Sequence, residues 1–270
     1  MLIILAAVAL VLTVFFIWQN NDIVITEIAL VDEDVPQTFD GFRILQVSDL
    51  QSKPFGRSQQ RLLELCSAAA PDIIVITGDL MDGHSKELEP AMAFAEQAVD
   101  IAPVYYVSGN HEWLSGRYEE LCGRLMQAGV IVLDNSHKTL KKDGEAIELL
   151  GLKDPTFEGD EKFREELEKL AGETSGFRVL LSHHPEYIDD YTESGVDLVL
   201  SGHAHGGQIR LPFIGGLFAP GQGFFPKYTS GLYEVGNTSL VVSRGLGNSH
   251  FPLRVFNRPE LVVVTLRTAG

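Results

Sequence analysis

The chain has 270 residues, 45% of them hydrophobic, and its 21 Lys and Arg against 37 Asp and Glu leave a formal charge of −16. That composition suits one large folded domain rather than a disordered chain. A surface so acidic has no basic stripe with which to displace counterions from a phosphate backbone, which argues against DNA or RNA as partners.

From the N-terminus, residues 2–18 are apolar except for Thr13. The run is apolar all round and not on one face, so it is expected to be a single-pass membrane helix, retained because no basic segment precedes it and no small-residue cleavage pattern follows. No Lys or Arg occurs before Arg43, so nothing holds the following domain in the cytoplasm, and an extracytoplasmic position at the cell membrane is expected. A polar spacer (19–22), a first strand (23–31) and a turn-rich link (35–41) lead to a second strand at 42–47. The expected organisation is an anchor over 1–20, a linker with the first strand over 21–41, and the main domain over 42–270.

Strands and helices then alternate: a helix over 58–70, a strand at 73–77, a helix over 86–99, a strand at 104–107, a helix over 117–128 and strands at 130–133 and 146–150 with a Gly-containing turn at 141–145. A charged helix over 160–171 and strands at 177–181, 197–200, 239–242 and 261–266 follow. This order predicts βαβ units and largely parallel pairing. Cys66 and Cys122 fall inside helical stretches, which argues against a disulfide framework. Residues 211–233, rich in Gly, Pro and aromatics without either period, are expected to form a long ordered loop. Its aromatics (213–228) are expected to pack ordinarily, contact with an acyl chain or bilayer being the alternative.

Chemistry-bearing residues gather where predicted strands end: Asp49, Gly78-Asp79, Gly109-Asn110-His111-Glu112, His183 and Gly202-His203-Ala204-His205. Singly each is weak, since Asp at a strand end is more often a turn or cap residue. Alternating His203 and His205 on an extended segment would point both imidazoles to one side. Five strand ends carrying oxygen or imidazole in one chain converge at the carboxyl edge of an α/β sheet, where ligands bind. Carboxylate, amide oxygen and imidazole together suit Mn, Fe, Co or Zn; thiolates would suit structural Zn.

That ordered set resembles the calcineurin-like metallophosphoesterases over nearly the whole chain from residue 42 to 264, and most of all their membrane-anchored branch of YkuE- and YaeI-type phosphodiesterases and some UDP-diacylglucosamine pyrophosphatases. The resemblance implies a four-layer α/β/β/α sandwich of two mixed sheets. It implies two divalent cations bridged by Asp79, with Asp49, position 51 and His205 completing one site and Asn110, His183 and His203 the other. Water activated between the cations would hydrolyse a phosphodiester or pyrophosphate, a lipid-linked or cell-envelope molecule included, and His111 would protonate the leaving oxygen. The family pattern at the first motif is Asp-x-His, whereas this chain reads Asp49-Leu50-Gln51. An amide oxygen is a poorer partner than imidazole for Zn or Fe(II), so Gln51 is either a weaker, Mn-favouring ligand or a spectator with water in its place.

Several readings stay open at this level. Glu112 orients His111 or caps a helix. His184 faces solvent or substrate, and His84, His137 and His250 are surface residues. Arg244 meets a substrate phosphate or forms a structural ion pair. A catalytically silent docking protein on the same fold and a phosphomonoesterase are the rival functions.

Overall fold

The computed structural model describes residues 1–248 and 251–269; His250 lies outside them. Helix α1 (Leu2–Asn21) precedes strand β1 (Val24–Asp32), β2 (Arg43–Val47), α2 (Gln60–Ala68), β3 (Ile73–Thr77), α3 (Glu89–Ala98), β4 (Val104–Val107), α4 (Asn110–Ser115), α5 (Tyr118–Gln127) and β5 (Ile131–Val132). Then come β6 (Ser136–Lys142), β7 (Glu145–Gly151), α6 (Asp160–Glu173), β8 (Arg178–Leu181), α7 (Ile188–Ser194) and β9 (Leu198–Ser201). Four two-residue strands follow, β10 (Arg210–Leu211), β11 (Gly215–Gly216), β12 (Phe218–Ala219) and β13 (Gly223–Phe224), before β14 (Gly231–Val235), β15 (Thr238–Val242) and β16 (Glu260–Thr268).

Two six-stranded mixed sheets result, in the orders β1-β16-β2-β3-β4-β5 and β14-β15-β9-β8-β7-β6. Pairing is parallel except at β16–β2, β14–β15 and β6–β7. The last of these is a hairpin closed by Asp143-Gly144, both at positive φ, as a two-residue turn requires. Strand β1 runs parallel to β16 over its whole length, so residues 24–32 form the sheet edge.

The layering follows from alternation of apolar side chains across each strand. Ile44, Val75, Val179, Leu181, Leu198 and Leu200 point into one cluster between the sheets. Leu45, Val47, Ile74 and Ile76 point to the opposite face, under Leu62 and Cys66 of α2, Phe94 of α3 and Leu125 of α5. Leu180 and Val199 meet Phe163 and Leu167 of α6 and Tyr191 of α7. The central strands are therefore apolar on both faces and read as continuous runs, while the helices are apolar on one. This is the four-layer α/β/β/α arrangement.

Three local expectations need correction. Residues 19–22 are not a spacer: α1 continues to Asn21, with Gln19 and Asn20 buried against the body. The expected loop at 211–233 holds two short antiparallel hairpins, β10–β11 and β12–β13, and the start of β14. Of its aromatics Tyr228 packs into the core as expected, whereas Phe213, Phe218, Phe224 and Phe225 are exposed. Helix α1 has a mean hydropathy of 2.6 and is long and apolar enough to cross a membrane.

Candidate metal centre

Asp49 follows β2, Asp79 follows β3, Asn110 opens α4 after β4, His183 follows β8, and His203 and His205 follow β9. Ligand atoms of Asp79, His183 and His203 all lie within 4.8 Å of one another, and so do those of Asp49, Asp79 and His205. Asp79 is common to both groups. His183 Nε2 is 3.3 Å from Asp79 Oδ2, and His205 Nε2 is 3.2 Å from Asp49 Oδ1. His203 Nδ1 lies 3.3 Å from His183 Nε2.

The two histidines of the Gly-His-Ala-His motif do not lie on an extended segment. His203 and His205 both have positive φ, and each joins a different one of the two groups. Strand alternation is thus the wrong reason for their convergence; the left-handed backbone turns them.

The approach of both sheets depends on absent side chains. A Cβ on Gly78 would stand 2.5 Å from His183 Nδ1, and one on Gly109 would stand 2.6 Å from the Asp79 amide nitrogen. Glycine alone permits loops this close. Glu112 fastens them: its carboxylate accepts the N–H groups of Gly109 (2.7 Å), Asp79 (3.0 Å), Leu80 (2.8 Å) and Met81 (3.2 Å). Both oxygens are so used, so Glu112 caps α4 and clamps the Asp79 loop instead of reaching the His111 ring.

His183 holds its ring by donating from Nδ1 to the Thr77 carbonyl at 2.7 Å, which turns Nε2 toward the carboxylates. Burial opposes a proton on this ring, but the Asp79 carboxylate outweighs it and holds His183 well above its usual range. Burial likewise works against ionised Asp79, and His183 and His111 overcome it, keeping that carboxyl well below the ordinary carboxylate range. Burial, with the His184 and His183 rings beside it, pushes His203 well down. Burial and Arg254 bring His205 to about 4. His203 and His205 are accordingly neutral at pH 7 and offer lone pairs.

The donor set fits divalent cations. Asn110 Oδ1 and His205 Nδ1 are shielded from solvent, and among the described residues nothing hydrogen-bonds to either. A buried amide oxygen without a donor is costly unless something positive meets it. Asn110 precedes His111, whose N–H reaches Asp79, and the two carboxylates and three imidazoles grouped through Asp79 can hold divalent metal. The Gln51 amide end belongs to the same group: its Nε2 is 3.1 Å from His205 Nε2 and 3.4 Å from Asp79 Oδ2. A half-turn of the amide would bring Oε1 to that place.

His111 stands beside this group. Its backbone N–H donates to Asp79 Oδ1 at 2.8 Å, and its Nδ1 accepts the Gly83 N–H at 3.1 Å. In the neutral ring the proton is then on Nε2, which lies 3.9 Å from Asp79 Oδ2.

Sequence reasoning missed several neighbours. His184 does not face solvent: it is buried with Nε2 2.9 Å from Asp154 Oδ2 and Nδ1 2.9 Å from Glu186 Oε1, its ring 4.0 Å from that of His203. Burial resists its charge, yet Asp154 and Glu186 raise it to about 9. Asp154 follows β7, a sixth strand end that carried the same signal as the others. His84 is exposed, yet groups with Asp82 and His111, its ring 5.8 Å from the His111 ring. His137 pairs with Glu148 at 3.2 Å. Arg244 makes the structural ion pair, 2.7 Å from Glu260 Oε1.

Comparison with known proteins agrees with this geometry. Residues 42–207 match the family model of the calcineurin-like phosphoesterases. Metallophosphoesterase YkuE of Bacillus subtilis is 34% identical over 254 residues, covering 91% of this chain and 86% of its own length. Phosphodiesterase YaeI of Escherichia coli is 30% identical, with 83% and 82% covered. TT1561 of Thermus thermophilus, a solved structure 15% identical, shares the fold with a TM-score of 0.52 over 76% of this chain and 90% of its own. The chain belongs to the calcineurin-like phosphoesterase family, in the branch of YkuE and YaeI, and is a phosphoesterase hydrolase with carboxylate and imidazole clusters able to hold divalent metal.

Proposed function

We propose that the chain hydrolyses a phosphodiester or pyrophosphate with two divalent cations, from a single-pass anchor that keeps its catalytic body at the extracytoplasmic face of the cell membrane. The observation that carries this reading is the convergence of Asp49, His183, His203 and His205 on the shared carboxylate of Asp79, together with a buried, unpartnered Asn110 Oδ1. Asp79, common to both groups, would serve both cations; Asp49, Gln51 and His205 would hold one, and Asn110, His183 and His203 the other. When bound, Mn, Fe, Co or Zn would supply Lewis-acid polarisation of the phosphoryl group and acidify water. The residues do the rest. His111 keeps its Nδ1 on the Gly83 amide, leaving the Nε2 proton for the leaving oxygen. Glu112 holds the Asp79 and Asn110 loops at a fixed separation, so the phosphorus meets preset groups.

The placement of the body rests on the lack of Lys or Arg before Arg43, and the division is anchor 1–20, link and first strand 21–41, catalytic domain 42–270. A phosphorylated small molecule or a lipid-linked phosphoester is the substrate class.

The test is turnover of bis(p-nitrophenyl) phosphate by the full chain in detergent with MnCl2. Asn110→Ala and His111→Ala are each expected to lower kcat by ~100-fold or more. No turnover by the unaltered chain means a silent docking protein, the rival that Gln51 favours. Faster turnover of p-nitrophenyl phosphate than of the diester means a monoesterase.

A further inference from the structure

An apolar groove of about 620 Å³ opens beside the metal centre, within the ~300–1,000 Å³ usual for small-molecule sites. Ile209, Leu217, Phe218, Phe224 and Phe251 line it with the polar Gln208, and Gly207, two residues beyond His205, also borders it. A wall so largely apolar suits a hydrocarbon better than a nucleotide base or a sugar.

What covers the groove is indicated by the anchor. Helix α1 is fixed to the segment that forms the groove's rim: Gln19 Oε1 accepts the Asn257 N–H at 3.2 Å, and Asn20 Oδ1 accepts the Arg254 N–H at 3.0 Å. The Phe15 and Phe256 rings are 5.7 Å apart, and the Arg258 guanidinium lies 5.0 Å from the Trp18 ring. The same segment is tied to the first hairpin, since the Arg210 N–H donates to the Val255 carbonyl at 3.0 Å. Phe213 is fully exposed, Phe224 and Phe225 are 78% and 69% exposed, and Phe251 and Phe256 are exposed as well. Phe256 touches the membrane-length helix and its segment is tied to the hairpin that carries the other exposed aromatics, and apolar exposure of that kind marks a membrane contact.

We propose that the hairpin face from Arg210 to Phe225, with residues 251–256, rests in the leaflet that α1 enters, and that the groove takes an acyl chain of a bilayer-resident phosphoester whose phosphate then stands at Asp79 and His205. The acyl-chain assignment is independent of catalysis; its use for substrate rests on the hydrolase reading above. It names the substrate class as a lipid phosphodiester or pyrophosphate that enters sideways from the membrane.

The test uses the full chain in nanodiscs, with Trp18→Phe and Trp113→Phe to remove the native indoles and Phe251→Trp to place one at the groove. Phosphatidylglycerol with brominated acyl chains is expected to quench that indole at least twofold relative to unbrominated lipid, and Phe218→Asp/Phe224→Asp to abolish the quenching. No quenching, or quenching unchanged by the double substitution, overturns the groove. Two copies per disc with an unquenched indole would give the face to a second copy, and also overturns it.

On the native-indole chain, alkyl p-nitrophenyl phosphodiesters from ethyl to hexadecyl are expected to gain about fourfold in kcat/KM per buried methylene until the groove is full. The double substitution should flatten the series. A flat series for the unaltered chain removes the substrate assignment. If no ester is turned over while quenching persists, the hydrolase reading falls and the acyl site stands.

Discussion

Asp49, Gln51, Asp79, His203 and His205 all have positive φ. Each such non-glycine residue costs on the order of 1–3 kcal/mol, tolerated only where the surroundings over-determine it, and here it aims side chains at one point. Gln51 is the position where the family pattern is broken, and its amide end lies beside His205 and Asp79. Gln51→His is expected to raise the Zn or Fe content of protein purified without chelators, together with its rate on bis(p-nitrophenyl) phosphate. Equal metal content and equal rate would make position 51 a bystander. Cys66 and Cys122 are buried and unpaired, and burial pushes both thiols up to about 12. Because the thiolate is the nucleophile, iodoacetamide at pH 8 is expected to modify neither in the folded chain and both in urea. Labelling of either under native conditions would contradict that burial.

At the scale of elements, the site is a set of strand-to-loop junctions held by one carboxylate. Glu112, in the first turn of α4, accepts four N–H groups from the α4 entry and the loop after β3. Each buried donor left without an acceptor costs ~1–3 kcal/mol, partly recovered by entering water. Glu112→Ala is expected to destabilise the protein by about 3 kcal/mol, read from the urea midpoint at unchanged slope, and Glu112→Gln by less. A loss under ~0.5 kcal/mol would mean that the loops hold their places without it.

For the whole molecule, the two sheets bring their carboxyl edges together, β2, β3 and β4 from one and β8 and β9 from the other, and carboxylates and imidazoles gather there. Cations bound to the folded state alone stabilise it by mass action, ~2.7 kcal/mol at a hundredfold excess over Kd. A chelator is therefore expected to lower Tm by roughly 5–10 °C, and MnCl2 to restore it. An unchanged Tm would count against cation binding at this edge. The apolar helix α1 and the body are joined through Gln19, Asn20, Arg254 and Asn257, so that helix and the site share one frame. Asn257 also donates to the His205 carbonyl at 2.7 Å, linking α1 and candidate ligand in two steps.

Local patterning decided much of this protein. Continuous apolar runs such as Ile73–Thr77 and Leu198–Ser201 state buried strands, one-sided runs state helices, and residues 2–18 state a membrane-length helix, because each depends on burial period alone. The residues of the candidate site were legible for the same reason, each standing where such a run stops. Contacts between segments far apart in the chain were not. That Asp154 and Glu186 would enclose His184, that Glu260 would take Arg244, that Glu112 would clamp the loop after β3, and that Phe213, Phe224 and Phe225 would stay exposed were settled only by the tertiary packing of these segments. Side-chain period reports which face of an element is buried, and carries no information about which distant element will bury it.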